Sequence, residues 1–425
     1  MKPSFATKLG LIMATAGSAV GLGNIWKFPY IAGENGGGAF LIIYLACVLL
    51  FGVPLLMTEF IIGKRSGKSA YGAFQTLRGN RRWQWLSWSC LITALIITGF
   101  YFVVTGWCFH YLVSALSHAF AGLDTASFSE HFSAFVNNRS GSLAYAILAV
   151  VLTAAVLWFD VNKGIERISK ILMPLLLIIM LAMVVHVLLL PSSMTGLRFF
   201  FHADFTKFSP QTVLAALGQC FFSLSIGVGA VITYGAYMPD NQNFKTSSIQ
   251  VALLDTLVAV LAGVIIFPAV FAFGVDPAEG PQLVFVVLPA ILEQMPLPWL
   301  SSILFFALLC VAALTSTISL MEVAVAFLTE ATAGSKRPLN RHSAVLTVSG
   351  LALLLIALNV FVAGVFGWSD NLSANLLMPL NALATAVFVG WFLMRKERTV
   401  YALLVRYIIP LAILAIFLNG LGLFK

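Results

Sequence analysis

Eleven apolar runs, each about as long as a helix needs to cross a bilayer core, dominate the 425 residues and leave little chain between them. They fall at 8–31, 38–63, 87–117, 142–159, 168–190, 211–237, 247–274, 298–329, 341–361, 372–394 and 400–423. A backbone in hydrocarbon must satisfy its own hydrogen bonds, so runs of this length fold as α-helices. The expectation is an all-α polytopic membrane protein with 11 transmembrane helices and no room for a large soluble domain. Composition agrees, with 60% hydrophobic and 9% charged residues against roughly half and a quarter in soluble chains.

The formal charge of +8 does not point to nucleic acid, because the basic residues are scattered through short loops. They follow the positive-inside rule instead. With a cytoplasmic N-terminus, the loops holding Lys64, Arg65, Lys68, Arg78, Arg81 and Arg82, then Lys163, Arg167 and Lys170, then Lys245, Lys336, Arg337, Arg341, Arg395, Lys396 and Arg398 all face inward. Eleven spans then put the C-terminus outside a cell inner (plasma) membrane. Met1 to Ala19 has a faint likeness to a signal peptide, but the apolar run continues towards Tyr30. The five cysteines, Cys47, Cys90, Cys108, Cys220 and Cys310, fit no metal-ligand spacing and read as packing residues.

Two features break the apolar pattern. The first is a pair of interruptions: the first span carries Gly21-Leu22-Gly23 and then Asn24 and Lys27, and the sixth carries Gly227-Val228-Gly229 within FFSLSIGVG. Five spans starting with one interrupted helix, followed by five starting with the other, have opposite topology because five is odd. This predicts a 5+5 inverted repeat with broken first and sixth helices, over 1–190 and 191–398, with an accessory eleventh span at 399–425. Unwinding a helix in hydrocarbon is costly unless protein, water or ligand meets the freed groups. Freed carbonyls suit a small cation, and a half-helix N-terminus suits a carboxylate. A single interruption is ordinary close packing; two in matching places point to a mid-membrane site. The second feature is Asp255 in VALLDTLVAVLAGVIIFPAV, a carboxylate deep in an apolar span, where burial demands a partner or a function.

These residues resemble the neurotransmitter:sodium symporter family, in its bacterial amino-acid branch. The likeness runs through SAVGLGNIWKFPY at 18–30 with ENGGGAF at 34–40, GQCFFSLSIGVGAVITYGAY at 218–237 and ALTSTISL at 313–320, over nearly the whole chain. Eleven spans where the family commonly has twelve is a departure at the C-terminus.

The resemblance implies the leucine-transporter fold, a substrate cradle and two Na+ sites. One sodium site would use the Ala19 carbonyl, Asn24, Ser223 and Asp255, completed by the substrate's carboxylate. The other would use the carbonyls of Gly17, Val20 and Ala312 with the hydroxyls of Thr315 and Ser316. The substrate carboxylate would meet the half-helix ends at Ala19 to Asn24, including Gly21, and the Tyr101 hydroxyl. Its ammonium would meet carbonyls near Phe222 and Ser225. Leu22, Gly23, Ile97, Phe222, Ser225, Val228, Ser316, Ser319 and Leu320 would line a mainly apolar side-chain pocket. A leucine transporter of the family has Phe where Val228 stands, so this pocket is expected to take larger hydrophobic or aromatic amino acids: tryptophan, tyrosine, phenylalanine or leucine.

Chloride-dependent relatives have Asn at the position of Asp255 and Ser at that of Ala259, with chloride near the counterparts of Tyr44, Gln219 and Ser223. A fixed charge on Asp255 therefore implies no chloride requirement, and its protonation after sodium leaves would return a proton. Lys27 and Asp370 match an outer gate above Tyr101 and Phe222, and Lys2 and Phe5 match a cytoplasmic latch facing Glu330 and Tyr237. The rival readings are an ion channel, since broken helices also build filters, a carrier of another small zwitterion, and an intramembrane enzyme. For an enzyme the chain offers no paired catalytic carboxylates, His cluster or nucleophile motif. Oligomeric state is left open.

Overall fold

The computed structural model describes residues 3–78, 81–190, 193–274 and 283–420. Among these residues the chain is helical nearly throughout, and extended backbone pairs at a single bridge, Gly37 with Ala203. Among them, too, nine helices are long and apolar enough to cross a membrane: Gly38–Ser66, Gln84–Leu116, Arg139–Leu157, Asn162–Leu188, Phe244–Ala272, Pro298–Thr332, Arg341–Phe361, Val365–Leu393 and Val400–Leu418. The bent pair Lys8–Ala19 and Gly23–Glu34, which turns by 51°, makes up to ten. The sixth run is too divided to count, appearing as Pro210–Ser223 and Ala230–Ala236 with an irregular stretch between them. Residues 421–423 of the last expected run lie outside the described residues.

Local chemistry sets the starts of the two divided spans. The Thr7 hydroxyl accepts from the Gly10 N–H at 3.0 Å and opens the first. Ser209, with Pro210 behind it, opens the sixth in the same way. Their breaks have different backbone causes. Val20 is extended (φ −67°, ψ 110°), whereas the sixth-span break uses left-handed residues at Ser225, Gly227 and Gly229. At Gly227 (φ +84°) a Cβ would also lie 2.5 Å from the Met378 carbonyl oxygen, so only glycine fits.

Close approach at small residues places these elements in the core. A Cβ on Gly63 would lie 2.0 Å from the Ile232 carbonyl, which brings the second span against the latter half of the sixth. Lipid-facing stripes run along the outside; Ile171, Ile178, Leu181 and Val185 on the fifth span are all more than half exposed. The connections hold further helices, Ala70–Arg78, Thr125–Asn137, Ser193–Phe201 and Leu283–Gln294, which are too short to register as spans in the sequence. Two of them meet where Phe132 stacks on Phe285, with centroids 5.5 Å apart.

Candidate functional site

The two breaks leave peptide groups without helical partners, and side chains from neighbouring spans meet them. In the first break the Gly21 N–H donates to Asn24 Oδ1 (3.1 Å) and the Leu22 N–H to the Tyr101 hydroxyl (3.1 Å). The Gly23 carbonyl accepts from Gln219 Nε2 at 2.9 Å. In the sixth-span break the Gly227 N–H donates to Glu59 Oε1 (2.7 Å), and its carbonyl accepts from Asn381 Nδ2 (2.8 Å). Asn381 is itself tied to Ser89 and Thr93 of the third span. The Ser225 hydroxyl joins the breaks by donating to the Ser18 carbonyl at 2.8 Å.

Asp255 lies at the centre of a fully buried polar cluster. Asn24 Nδ2 donates to its Oδ1 at 2.7 Å and to Ser223 Oγ at 2.9 Å. The Ser223 hydroxyl lies 2.9 and 2.8 Å from the two carboxylate oxygens, and the Tyr44 hydroxyl 3.4 Å from Oδ2. Four spans thus converge on one negative charge with no cationic side chain bonded to it among the described residues, an arrangement chemically suited to a cation. A second group of oxygens gathers nearby on the first and eighth spans. Thr315 Oγ1 and Ser316 Oγ each stand 3.4 Å from the Val20 carbonyl, and Thr315 Oγ1 is 2.9 Å from that of Ala312. Gly17 packs on Thr315, whose Cβ would be 3.2 Å from an added Cβ.

Beside these groups lies a cavity of about 40 Å³, bordered by Ala19, Gly21, Gly23, Ile97, Tyr101, Phe222, Ser223, Ser225, Val228, Ser316 and Leu320, together with Ser18 and Met378. Two residues named for the pocket are elsewhere. Leu22, its N–H tied to Tyr101, borders the next chamber, and Ser319 turns its hydroxyl back to the Ser316 carbonyl at 2.8 Å. Above the cavity a chamber of about 110 Å³ is lined by Lys27, Asp370, Phe100, Phe366 and others, with Phe222 shared between the two. Lys27 and Asp370 line this chamber without an ion pair between them; Lys27 Nζ instead stands 4.2 Å from the centre of the Phe222 ring. Gly21 has no room for a side chain, because a Cβ would sit 2.5 Å from Ser316 Oγ and 2.8 Å from the Tyr101 hydroxyl. Gly21→Ala is therefore expected to lower transport at least about tenfold while the purified protein keeps its thermal unfolding transition; unchanged uptake would contradict this geometry.

The end of the bundle holding residues 4–7 is closed. Phe5 is buried, its N–H donates to the Tyr237 carbonyl (3.0 Å), and its ring meets Tyr234 and Tyr237 edge-on. Tyr237 has a further partner that the latch expectation did not name. Its hydroxyl donates to Glu322 at 2.8 Å, and Arg341 clasps that carboxylate with two bonds of 3.1 and 2.8 Å. Glu330, eight residues on and so about 12 Å further along the same helix, accepts from the Ser69 N–H (2.9 Å) and pairs with Lys68 at 3.3 Å. Lys2 lies outside the described residues. A further clasp had no place in the sequence reading: Glu166 accepts from the Ala6 N–H (2.6 Å) and the Thr7 hydroxyl (2.7 Å) and pairs with Lys170 at 2.6 Å. Glu59, Glu322 and Asn381 were also missed, although a carboxylate inside an apolar run, the signal that exposed Asp255, marks both glutamates.

A mid-membrane polar chamber between two broken helices, closed at one end and bordered by a cavity at the other, defines a membrane transporter of the broken-helix class. Comparison with known proteins narrows this. The model of the "Sodium:neurotransmitter symporter family" matches residues 2–131 and 128–402, and the chain belongs to that family. The sodium-dependent transporter YhdH of Bacillus subtilis (strain 168) is 36% identical over 98% of this chain and 97% of its own length. A sodium-dependent transporter of Haemophilus influenzae is 33% identical over 99% and 98%. The crystal structure of MhsT in complex with L-phenylalanine matches with a TM-score of 0.88 at 37% identity, covering 99% of this chain and 100% of that one. The chain is a multi-pass membrane transporter and not an enzyme.

Proposed function

We propose that this protein is a symporter that carries large hydrophobic or aromatic amino acids, tryptophan, tyrosine, phenylalanine or leucine, inward with two sodium ions and without chloride. The reading rests above all on the uncompensated Asp255 carboxylate, bonded to Asn24 and Ser223 where the two broken spans meet. In this reading sodium binds between Ala19, Asn24, Ser223 and Asp255, and the substrate carboxylate completes that shell, which couples the two. The second ion binds among Gly17, Val20, Ala312, Thr315 and Ser316. The phenylalanine bound by MhsT supports an amino acid in the intervening cavity, and the small Val228 supports a large side chain.

Access alternates as the spans carrying the breaks rock against the rest. The closed end, with Phe5, Tyr237, Glu322 and Glu330, is the cytoplasmic gate; Lys27 and Asp370 pair only when the outer side shuts. The N-terminus is cytoplasmic and the C-terminus outside, with inverted repeats at 1–190 and 191–398 and an accessory eleventh span at 399–425. Two sodium ions falling through about 100 mV release roughly 4.6 kcal/mol, enough for more than a thousandfold accumulation of a zwitterion. In proteoliposomes, uptake of labelled leucine is expected to require an inward sodium gradient and to persist when gluconate replaces chloride. Tryptophan and phenylalanine are expected to compete better than alanine or lysine. Uptake that ignores the sodium gradient, or a strict need for chloride, would refute the corresponding part.

A further inference from the structure

The cavity beside the two oxygen clusters is about 40 Å³, room for only a few waters at ~10–15 Å³ each. An aromatic amino acid needs more, so a wall must move. Gly21 and Gly23 have no side chain to withdraw, Val228 is stiff at χ1, and Phe222 lies under Lys27 at the outer opening. Met378 differs from all of these. It comes from the tenth span, it is 4% exposed, and it shares with Phe222 the border between this cavity and a second chamber of about 400 Å³ against Gln211, Leu214, Asn375 and Ile416, but its side chain is flexible where that ring is rigid.

Its position is set by the backbone. Residues Leu372–Leu377 form a π-helical stretch directly before Met378–Val387, and such a turn inserts a residue and rotates the helix beyond it, often at functional sites. The Met378 carbonyl then packs directly against Gly227, so the tenth span touches the sixth-span break with backbone and leaves the methionine at the partition. An unbranched thioether with three rotatable bonds is the side chain best able to refold under pressure from a guest.

We propose that Met378 is an expandable wall that sets the size of substrate accepted: a large apolar side chain displaces it towards the adjoining chamber, so the two spaces are shared in the occupied state. This rests on the reading of the cavity as an amino-acid site. The test is competition of tryptophan and alanine against sodium-driven uptake of labelled leucine by the parent, Met378→Phe, Met378→Leu and Met378→Cys. The Cys variant is treated with a benzyl methanethiosulfonate after reconstitution, under sodium and leucine turnover, and is assayed once its mass shows the cap in place; the parent, with five buried cysteines of its own, receives the same treatment and mass measurement as control.

The ratio of tryptophan to alanine half-inhibition concentrations is expected to rise about tenfold or more in Met378→Phe and in the capped Cys variant. It is expected to stay within about threefold of the parent in Met378→Leu, which is near in volume. An unchanged ratio in the capped variant, while leucine uptake persists, would overturn the role of Met378 and leave the amino-acid reading intact. Failure of every amino acid to compete in the parent would overturn that reading and this inference with it.

Discussion

In chloride-free medium Asp255→Asn is expected to reduce sodium-driven uptake by about two to three orders of magnitude, and added chloride is expected to restore part of it. A carboxylate about 4 Å from a sodium ion, at an effective dielectric near 20, contributes on the order of 4 kcal/mol, roughly a thousandfold in ion affinity. Asparagine keeps the size and can still accept from Asn24 and Ser223, so the change removes charge and little else. The Tyr44 and Ser223 hydroxyls already face this point, and they are donors that a chloride ion can use once the carboxylate is gone. Initial rates in gluconate and in chloride, for parent and variant at equal surface expression, measure both effects. If the variant matches the parent in gluconate, the charge that holds sodium is not on Asp255.

Arg341→Met is expected to be the most damaging single change at the closed end. Glu322 is fully buried and Arg341 is its only ion-pair partner among the described residues. Removing one partner of such a pair strands a charge, at a cost of about 3–5 kcal/mol, whereas neutralising both relieves most of it. Thermal unfolding of the purified protein should therefore fall markedly in Arg341→Met, and Arg341→Met with Glu322→Gln should regain more than half of the loss. A double variant no more stable than the single one would show that the pair does not act as a unit. The guanidinium also donates to the Leu157 and Phe159 carbonyls, which limits how complete the rescue can be.

Much of this architecture was legible in the residues because lipid imposes so few solutions. Nine of the apolar runs meet helices among the described residues, most with ends within about three residues of those expected, although the helices matching 168–190 and 372–394 begin at Asn162 and Val365. The first and sixth runs are divided near the glycines that had marked them. Asp255 was legible for the same reason, as a carboxylate in an apolar run. The partners of buried charges were not. Glu322 and Arg341 are 19 positions apart across a loop, and nothing in periodicity says that the chain returns there. The match of Phe5 and Tyr237 to a latch carried no sign that the Tyr237 hydroxyl reaches Glu322. The anchoring of peptide 227 by Glu59 and Asn381 needs three spans to be brought together, which sequence spacing does not reveal. The π-helical stretch before Met378 carries no signal in its residues, since it arises from packing.

Tyr101 and Asn24 already occupy the amide hydrogens that an incoming carboxylate would seek. On the proposed reading an arriving carboxylate would replace neutral acceptors with a charged one, and hydrogen bonds to charged groups are worth about 1.5–3 kcal/mol each against about 1 for neutral ones. With these partners the break keeps its amides hydrogen-bonded in apolar surroundings. The gain at each amide would then be the difference between the charged and the neutral bond, smaller than an unpartnered amide would give.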